Sequence, residues 1–412
     1  MRYCKLCVQP DTRPGIYFNK EGICGACLYQ NDLEKKIDWN SRERELREIV
    51  IWAKESSREA YDSVIGVSGG KDSTFQSLYA RDVLGLHPLL VNSEPEGITD
   101  IGRHNIENLK NLGFDLISMR PNPRIMKKLV KRDFYRYLNP VKVTEYSLWS
   151  SAYIVAYAFK IPLIIQGENP GLTLGVRQKT GIDGDALKAN AQDTLEKDCL
   201  SEYRVDGVEP LDLFMFRYDR KKLETAGIKA IWLQYYVKDW SQPGNAAFSM
   251  AHGLKIKPKA LDLHDIGTYR RYSQLDSEMV QLNQMLKHIK FGFGQATDHA
   301  CYDIREGRIS RDEGIALVKE FDGKCGEQYI QQFCEYIGIT KNELCRVVNS
   351  FRGKMWIRDE KERWKLHNPI WESEPLSENI IIQHVLDRLE KQLCAEKMIK
   401  KQWFDSISRS IK

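Results

Sequence analysis

Four cysteines fall in two pairs near the N-terminus, Cys4-Lys-Leu-Cys7 and Cys24-Gly-Ala-Cys27, with sixteen residues between the pairs. Two CxxC pairs at this spacing turn four thiolates toward one ion at about 2.3 Å, and zinc is the expected metal. With all four positions filled, the expected role is structural. Pro10, Pro14, Gly15 and Gly22 suit a knuckle too small to fold without such a staple. An iron–sulfur cluster uses the same four thiolates and stands as the alternative.

A second constellation points to phosphate chemistry. Ser63-Val-Ile-Gly-Val67 reads as an apolar strand, and Ser68-Gly69-Gly70-Lys71-Asp72-Ser73-Thr74 follows it as a small-residue turn opening a helix. Glycines at such a turn let backbone approach an anion, and a helix N-terminus offers free N–H groups at its positive dipole end. Ser68, Ser73 and Thr74 add hydroxyls and Lys71 a point charge, while Asp72 suits magnesium rather than phosphate. The loop departs from a Walker A motif, which needs Gly where Ile65 stands and Ser or Thr where Asp72 stands. A different cut in the nucleotide is therefore expected.

Two further segments carry polar side chains at dense spacing. Gln166-Gly167-Glu168-Asn169-Pro170, followed by Gly171, Gly175, Arg177, Lys179 and Gly181, lies at the end of an apolar run, where a nucleotide or substrate is expected. Glu168 suits a metal or a ribose hydroxyl, and Arg177 and Lys179 suit phosphate. A solvated loop would carry the same residues. Asp298, His299, Asp303 and Arg305 pack acid, base and cation into eight residues, continued by Arg308, Arg311 and Glu313. They read equally as site lining or as a capping and ion-pair network, with Ser310 and Glu313 spaced as a capping box.

The elements that must position these groups alternate between strand and helix from residue 61. Strands are expected at Ser63–Val67, Pro88–Ser93, Phe114–Ser118, Pro162–Gln166 and Lys229–Val237, with helices at about 72–85, 100–112, 124–138 and 145–160. Short apolar strands separated by helices imply an α/β fold, a doubly wound parallel sheet with ligands beyond its carboxyl ends. The expected organisation is a Cys4 knuckle over 1–30, a connector helix over 31–60, the α/β domain over 61–250 and a mainly helical region over 251–412. Helices are expected there at 274–290, 310–321, 326–337, 340–351 and 377–409, the last docking on the body of the protein.

Length and composition bound the rest. The 412 residues are 42% hydrophobic and 29% charged, without low-complexity tracts, so two or three packed domains are expected rather than disorder. No run of about 18 apolar residues or secretory leader is evident, and a cytoplasmic location is expected. The net charge of +5 is interspersed along the chain, which argues against a dedicated nucleic-acid binder. The basic stripe Lys127, Lys128, Lys131, Arg132 and Arg136 reads as a solvated helix face.

Ser68-Gly-Gly-Lys-Asp-Ser73 resembles the SGGxDS loop of the PP-loop ATP pyrophosphatases. That resemblance implies cleavage of ATP between the α and β phosphates and adenylation of a substrate oxygen. The knuckle sequence Cys4-x-x-Cys-Val-Gln-Pro-Asp-Thr-Arg-Pro, Gly-Ile-Cys24-Gly-Ala-Cys27, the loop and the cassette from Asp298-His299-Ala300 to Gly314 together resemble the N-acetyl sugar amidotransferases of bacterial surface-glycan and lipopolysaccharide pathways. The resemblance spans residues 1 to about 350. It implies conversion of the acetamido group of a nucleotide-linked sugar to an acetamidino group, with ATP, Mg2+ and structural Zn2+. On this reading Lys71, Asp72 and Glu168 are catalytic. Ser68, Gly69, Gly70, Lys71, Asp72, Ser73, Asn92 and Gly167 bind nucleotide, and Arg177, Asp298, His299 and Arg305 bind the sugar.

The ammonia source is expected on another subunit, because Arg2 rather than a nucleophilic cysteine follows Met1 and Gly323-Lys-Cys325-Gly-Glu327 lacks the closing glycine of a glutaminase elbow. The resemblance implies a glutaminase subunit similar to that of histidine biosynthesis, with a barrel (cyclase-like) subunit as a conduit. A tRNA-thiolating PP-loop enzyme is the rival enzyme reading, and a non-catalytic scaffold with a relic loop is the other.

Overall fold

The computed structural model describes residues 1–58, 60–176, 183–189, 203, 207–374, 376 and 379–410. Its centre is a sheet of five parallel strands, β1 (Ser63–Val67), β2 (Pro88–Ser93), β3 (Leu116–Met119), β4 (Leu163–Gln166) and β5 (Lys229–Trp232), in the order β3-β2-β1-β4-β5. The strands are near-continuous apolar runs because helices cover both faces. Ile65, Val67, Leu90, Leu163, Ile165 and Ile231 face the helices Trp39–Ser56, Lys71–Leu78 and Asp100–Asn111. Val64, Leu89, Val91, Ile164, Ala230 and Trp232 pack on Lys142–Phe159. The doubly wound α/β expectation is met.

Element ends differ from the sequence reading in places. The fifth strand stops at Trp232 because its register partner in β4, Gln166, is the last residue of that strand. Without a partner the apolar run turns into a short helix, Leu233–Tyr236. The third strand begins at Leu116, not Phe114, which is buried in the turn out of the preceding helix. The connector is two helices, Gly25–Lys35 and Trp39–Ser56, separated at the N-cap Asp38. Cys27 therefore lies on a helix. An antiparallel hairpin, Trp356–Arg358 with Trp364–Leu366, interrupts the region read as mainly helical. A further helix, Gln295–Arg305, carries the Asp298-His299 cassette.

The helices Met279–Phe291, Glu327–Ile337 and Lys341–Ser350 share an apolar core with Pro123–Tyr137 from the α/β part. The capping box of Ser310 and Glu313 is present. The long helix Ile382–Ser410 docks on the body, with Phe404 buried against Phe248 at a ring separation of 5.0 Å. No described helix is long and apolar enough to cross a membrane.

Candidate active site

The strand order reverses between β1 and β4, since β1 leads to β2 on one side and β4 to β5 on the other. Ligands in such sheets bind in the crevice beyond the carboxyl ends at this switch point. Both polar segments singled out in the sequence emerge there, Ser68–Gly70 from β1 and Gly167–Asn169 from β4. A cleft of about 400 Å³ opens between them, lined on this side by Ser68, Asp72, Ser73, Gln76, Gly167 and Glu168.

The loop has the form expected of an anion cradle. Gly69 sits at φ +74°, and a Cβ there would stand 3.1 Å from Asn105 Cβ and 3.3 Å from Gly102 O, so the position demands glycine. Gly70 caps the helix Lys71–Leu78 in extended backbone with no side-chain cap, so the first N–H groups of the helix are left for a ligand. Ser73 and Thr74 donate to Gly70 O at 3.2 and 3.0 Å, closing the turn. Lys71 Nζ lies 2.5 Å from Asp72 Oδ2, and Asn245 Nδ2 donates to Asp72 Oδ1 at 2.9 Å. Ser249 Oγ donates to Lys71 O at 2.7 Å, so the helix Gln242–Ala251 fixes both residues.

Glu168 is half-buried, and its orientation comes through a chain of polar groups. Asp303 holds Arg270 by two contacts, at 2.7 and 3.3 Å, and accepts from Tyr269 at 2.6 Å. Arg270 Nη1 donates to Gln242 Oε1 at 2.8 Å, which leaves Gln242 Nε2 to donate to Glu168 Oε1 at 2.9 Å. Burial and the neighbouring Asp72 charge push the Glu168 carboxyl up to about 7, against the opposing pull of Lys71 and Gln242. Asp72, beside a phosphate-type loop, suits a divalent cation.

The opposite wall comes from the C-terminal region. Asp298, His299 and Tyr302 of the helix Gln295–Arg305 line it, together with Gln274, Gln284 and Gln295. Asp298 is paired with Arg13 and, at 2.7 Å, with Lys287. Burial alone would raise its carboxyl, but these two cations more than offset that and hold it below the usual range. His299 is buried with Thr268 Oγ1 at 2.5 Å from Nδ1 and Ser273 Oγ at 3.3 Å from Nε2. Burial first, then Arg270 and Lys71, push its imidazole well below its ordinary range, so the ring is neutral.

Other candidates lie around this cleft rather than in it. Arg305 donates to Thr173 O at 3.1 Å, on the far side of Glu168 from the main cleft. Asn92 is buried at the carboxyl end of β2, in register with Val67. Asp303 is committed to Arg270, Arg308 to Glu306 and Glu396, and Arg311 to Glu374. These three belong to the ion-pair network. Arg177, with Lys179 and Gly181, lies outside the described residues. Cys325 is half-buried, and burial, with Asp265 and Glu327, pushes its thiol up to about 12, the opposite of an activated nucleophile.

The four N-terminal thiols gather as their spacing requires. All four are buried, and their sulfurs lie within 4.8 Å of one another. Cys4 and Cys27 are 3.8 Å apart, as are Cys7 and Cys24. A tetrahedron of thiolates at ~2.3 Å from its centre has edges of ~3.8 Å, so the donor set fits a tetrathiolate metal. The knuckle also braces the cleft. Ile16 bridges Val176, and Gly175, at φ +69°, lies so close to the helix start that a Cβ there would meet Ala26 N at 2.4 Å.

Sequence reasoning missed Gln242, Asn245, Arg270 and the carboxamides of the far wall. The fold and loop define an α/β protein with a polar cleft at the switch point of its parallel sheet. Residues 266–372, which supply the whole far wall, match the family described as LPS biosynthesis protein WbpG-like, C-terminal domain. The NMN synthetase from Francisella tularensis is similar in structure at 15% identity and a TM-score of 0.27, covering 46% of this chain and 82% of that one. No curated protein matches the chain.

Proposed function

We propose that the protein is an ATP-dependent enzyme of glycan biosynthesis that converts the acetamido group of a nucleotide-linked sugar to an acetamidino group. One observation carries the reading. The Ser68–Ser73 loop, free for phosphate, faces across one cleft a wall drawn from the segment that matches an LPS-biosynthesis domain.

An amide oxygen is a poor leaving group and must be activated before ammonia can replace it. The acetamido oxygen attacks the α phosphorus of ATP, the bond to pyrophosphate breaks, and an O-adenylyl imidate results. Ammonia adds to the imidate carbon and the C–O bond breaks, so AMP leaves with the former amide oxygen. Lys71 and the loop amides bind and orient the phosphates, which is the larger part of such catalysis. Magnesium, held by Asp72, would neutralise phosphate charge. Glu168, with a carboxyl poised at about 7, takes the proton that the attacking nitrogen loses. Water must be kept from the imidate, or it hydrolyses back to the amide.

Zinc in the Cys4, Cys7, Cys24 and Cys27 site is proposed as the structural staple, supported by the 3.8 Å sulfur separations. Ammonia is proposed to come from a separate glutaminase subunit similar to that of histidine biosynthesis, with a barrel subunit as its conduit. The test is AMP release from ATP with magnesium and ammonium across a panel of nucleotide-linked N-acetyl sugars and bulk tRNA. Sugar-dependent AMP, with the small mass loss of exchanging O for NH, supports the reading. Stimulation by tRNA instead moves the protein to thiolation.

A further inference from the structure

The far wall of the cleft contains a group of polar atoms without partners. Gln274, Gln284 and Gln295 all line the cleft, and the Oε1 atom of each is buried and hydrogen-bonds nothing within the protein. A buried carbonyl oxygen left without a donor is costly, so three in one wall call for a ligand that satisfies them.

Gln274 is also held in a conformation that a side chain rarely adopts, at φ +48°. Strain of this kind persists where the surroundings impose it, and it gathers at binding sites. Here the surroundings are explicit. Buried Lys257 donates to the carbonyls of Ser273 and Gln274, the latter at 2.5 Å, and Ser273 Oγ meets His299. Gln295 opens the helix that carries Asp298 and His299, and Gln284 lies on the helix Met279–Phe291. Three separate elements thus deliver one type of group to one surface.

That surface offers no free charge of its own. Asp298 is already neutralised by Arg13 and Lys287, and His299 is a neutral ring with both nitrogens bonded. Carboxamides both donate and accept, which matches hydroxyl and amide groups and gives no advantage to a carboxylate or an ammonium group.

The geometry points to Gln274, Gln284 and Gln295 as the acceptor subsite, reading the acetamido group of the sugar and its neighbouring hydroxyls from the wall opposite the nucleotide loop. This rests on the sugar reading above and deepens it, since it names the residues that select the acceptor. The division of labour follows: residues 68–73 bind nucleotide, and residues 274–295 choose what it adenylates.

The test uses the full chain with Gln274→Met, Gln284→Met and Gln295→Met, which keep side-chain length and remove the carboxamide. AMP release is measured against UDP-N-acetyl sugars, with ATP affinity and melting temperature read on the same preparations. Each variant is expected to raise KM for the sugar about 3- to 10-fold, the range of one lost neutral hydrogen bond, with ATP affinity within about two-fold. The preference for a UDP-N-acetyl sugar over its free-amine counterpart should shrink in parallel. Half-buried Gln284 serves as the informative position if a change at Gln295 lowers the melting point. Unchanged sugar KM in folded variants, or a matching loss of ATP affinity, overturns the assignment while the amidotransferase reading stands. Wild-type protein that releases AMP with none of the sugars overturns that reading, and the subsite with it.

Discussion

Arg13, on the cysteine-bearing segment, is ion-paired to Asp298 on the helix that carries His299 into the cleft. The guanidinium also donates from Nε to Gln9 Oε1 of its own segment at 2.9 Å and lies 4.5 Å over the ring of Phe293, just before the helix of Asp298. The contact joins residues 285 positions apart in the chain. It makes the order of the knuckle a condition for the order of the far wall. Removing one partner of a buried pair costs about 3–5 kcal/mol, and the remaining Lys287 contact reduces this. Arg13→Gln should therefore lower stability by roughly 1–3 kcal/mol and raise sugar KM with ATP affinity kept. A denaturant titration and initial-rate kinetics check both, and unchanged values would remove the link.

The metal site gives a second expectation. Cys7→Ser removes one of four buried ligands, and the protein should lose its equivalent of zinc and the protease resistance of residues 1–30. The parallel sheet, whose core is made by other residues, should keep its signal by circular dichroism. Metal analysis with limited proteolysis is the check. Iron in place of zinc in the native protein, with a visible charge-transfer band, would assign the site to a cluster.

The phosphate loop makes the sharpest catalytic prediction. Lys71→Ala and Asp72→Asn should each reduce AMP formation by a factor on the order of 10² or more, with melting temperatures near wild type. Asn245→Leu, which removes the donor to Asp72 Oδ1, should cost less, roughly 10-fold. Retained turnover in Lys71→Ala would defeat the assignment of the loop.

How much of this was legible in the sequence differs between the two walls. The near wall announces itself because its chemistry is local: an apolar strand, two glycines and hydroxyls within six residues. The cysteine pairs are legible for the same reason. The far wall has no such signature. Glutamine follows no hydrophobic period and belongs to no short motif, and Gln274, Gln284 and Gln295 line the cleft only through packing of segments from another part of the chain. The roles of Asp298 and Asp303 were equally hidden, since both are acids five residues apart in one polar stretch. One faces the cleft and the other anchors Arg270, and partners distant in sequence decide which. The fifth strand was read too long because only the end of β4 shows where pairing stops.

Glu168 links pH to both rate and stability. Its folded-state carboxyl is raised to about 7 by burial and by Asp72, above the ordinary value near 4.3 of an exposed glutamate. A raised carboxyl binds its proton more tightly in the folded state, so its favourable contribution is present at low pH. That contribution is lost as pH rises from about 4.3 through about 7. Glu168→Gln removes the ionisable group while keeping an acceptor for Gln242. The variant should melt higher than wild type at about pH 8, with the difference vanishing near pH 5. The rate runs the other way. If Glu168 takes the proton from the attacking nitrogen it must be ionised, so kcat/KM for the wild type should climb through about pH 7, while Glu168→Gln stays low throughout. Thermal melts and pH–rate profiles on the same two proteins separate the effects. A stabilised variant that keeps wild-type turnover would leave Glu168 as a strained but non-catalytic carboxylate and return the base to solvent.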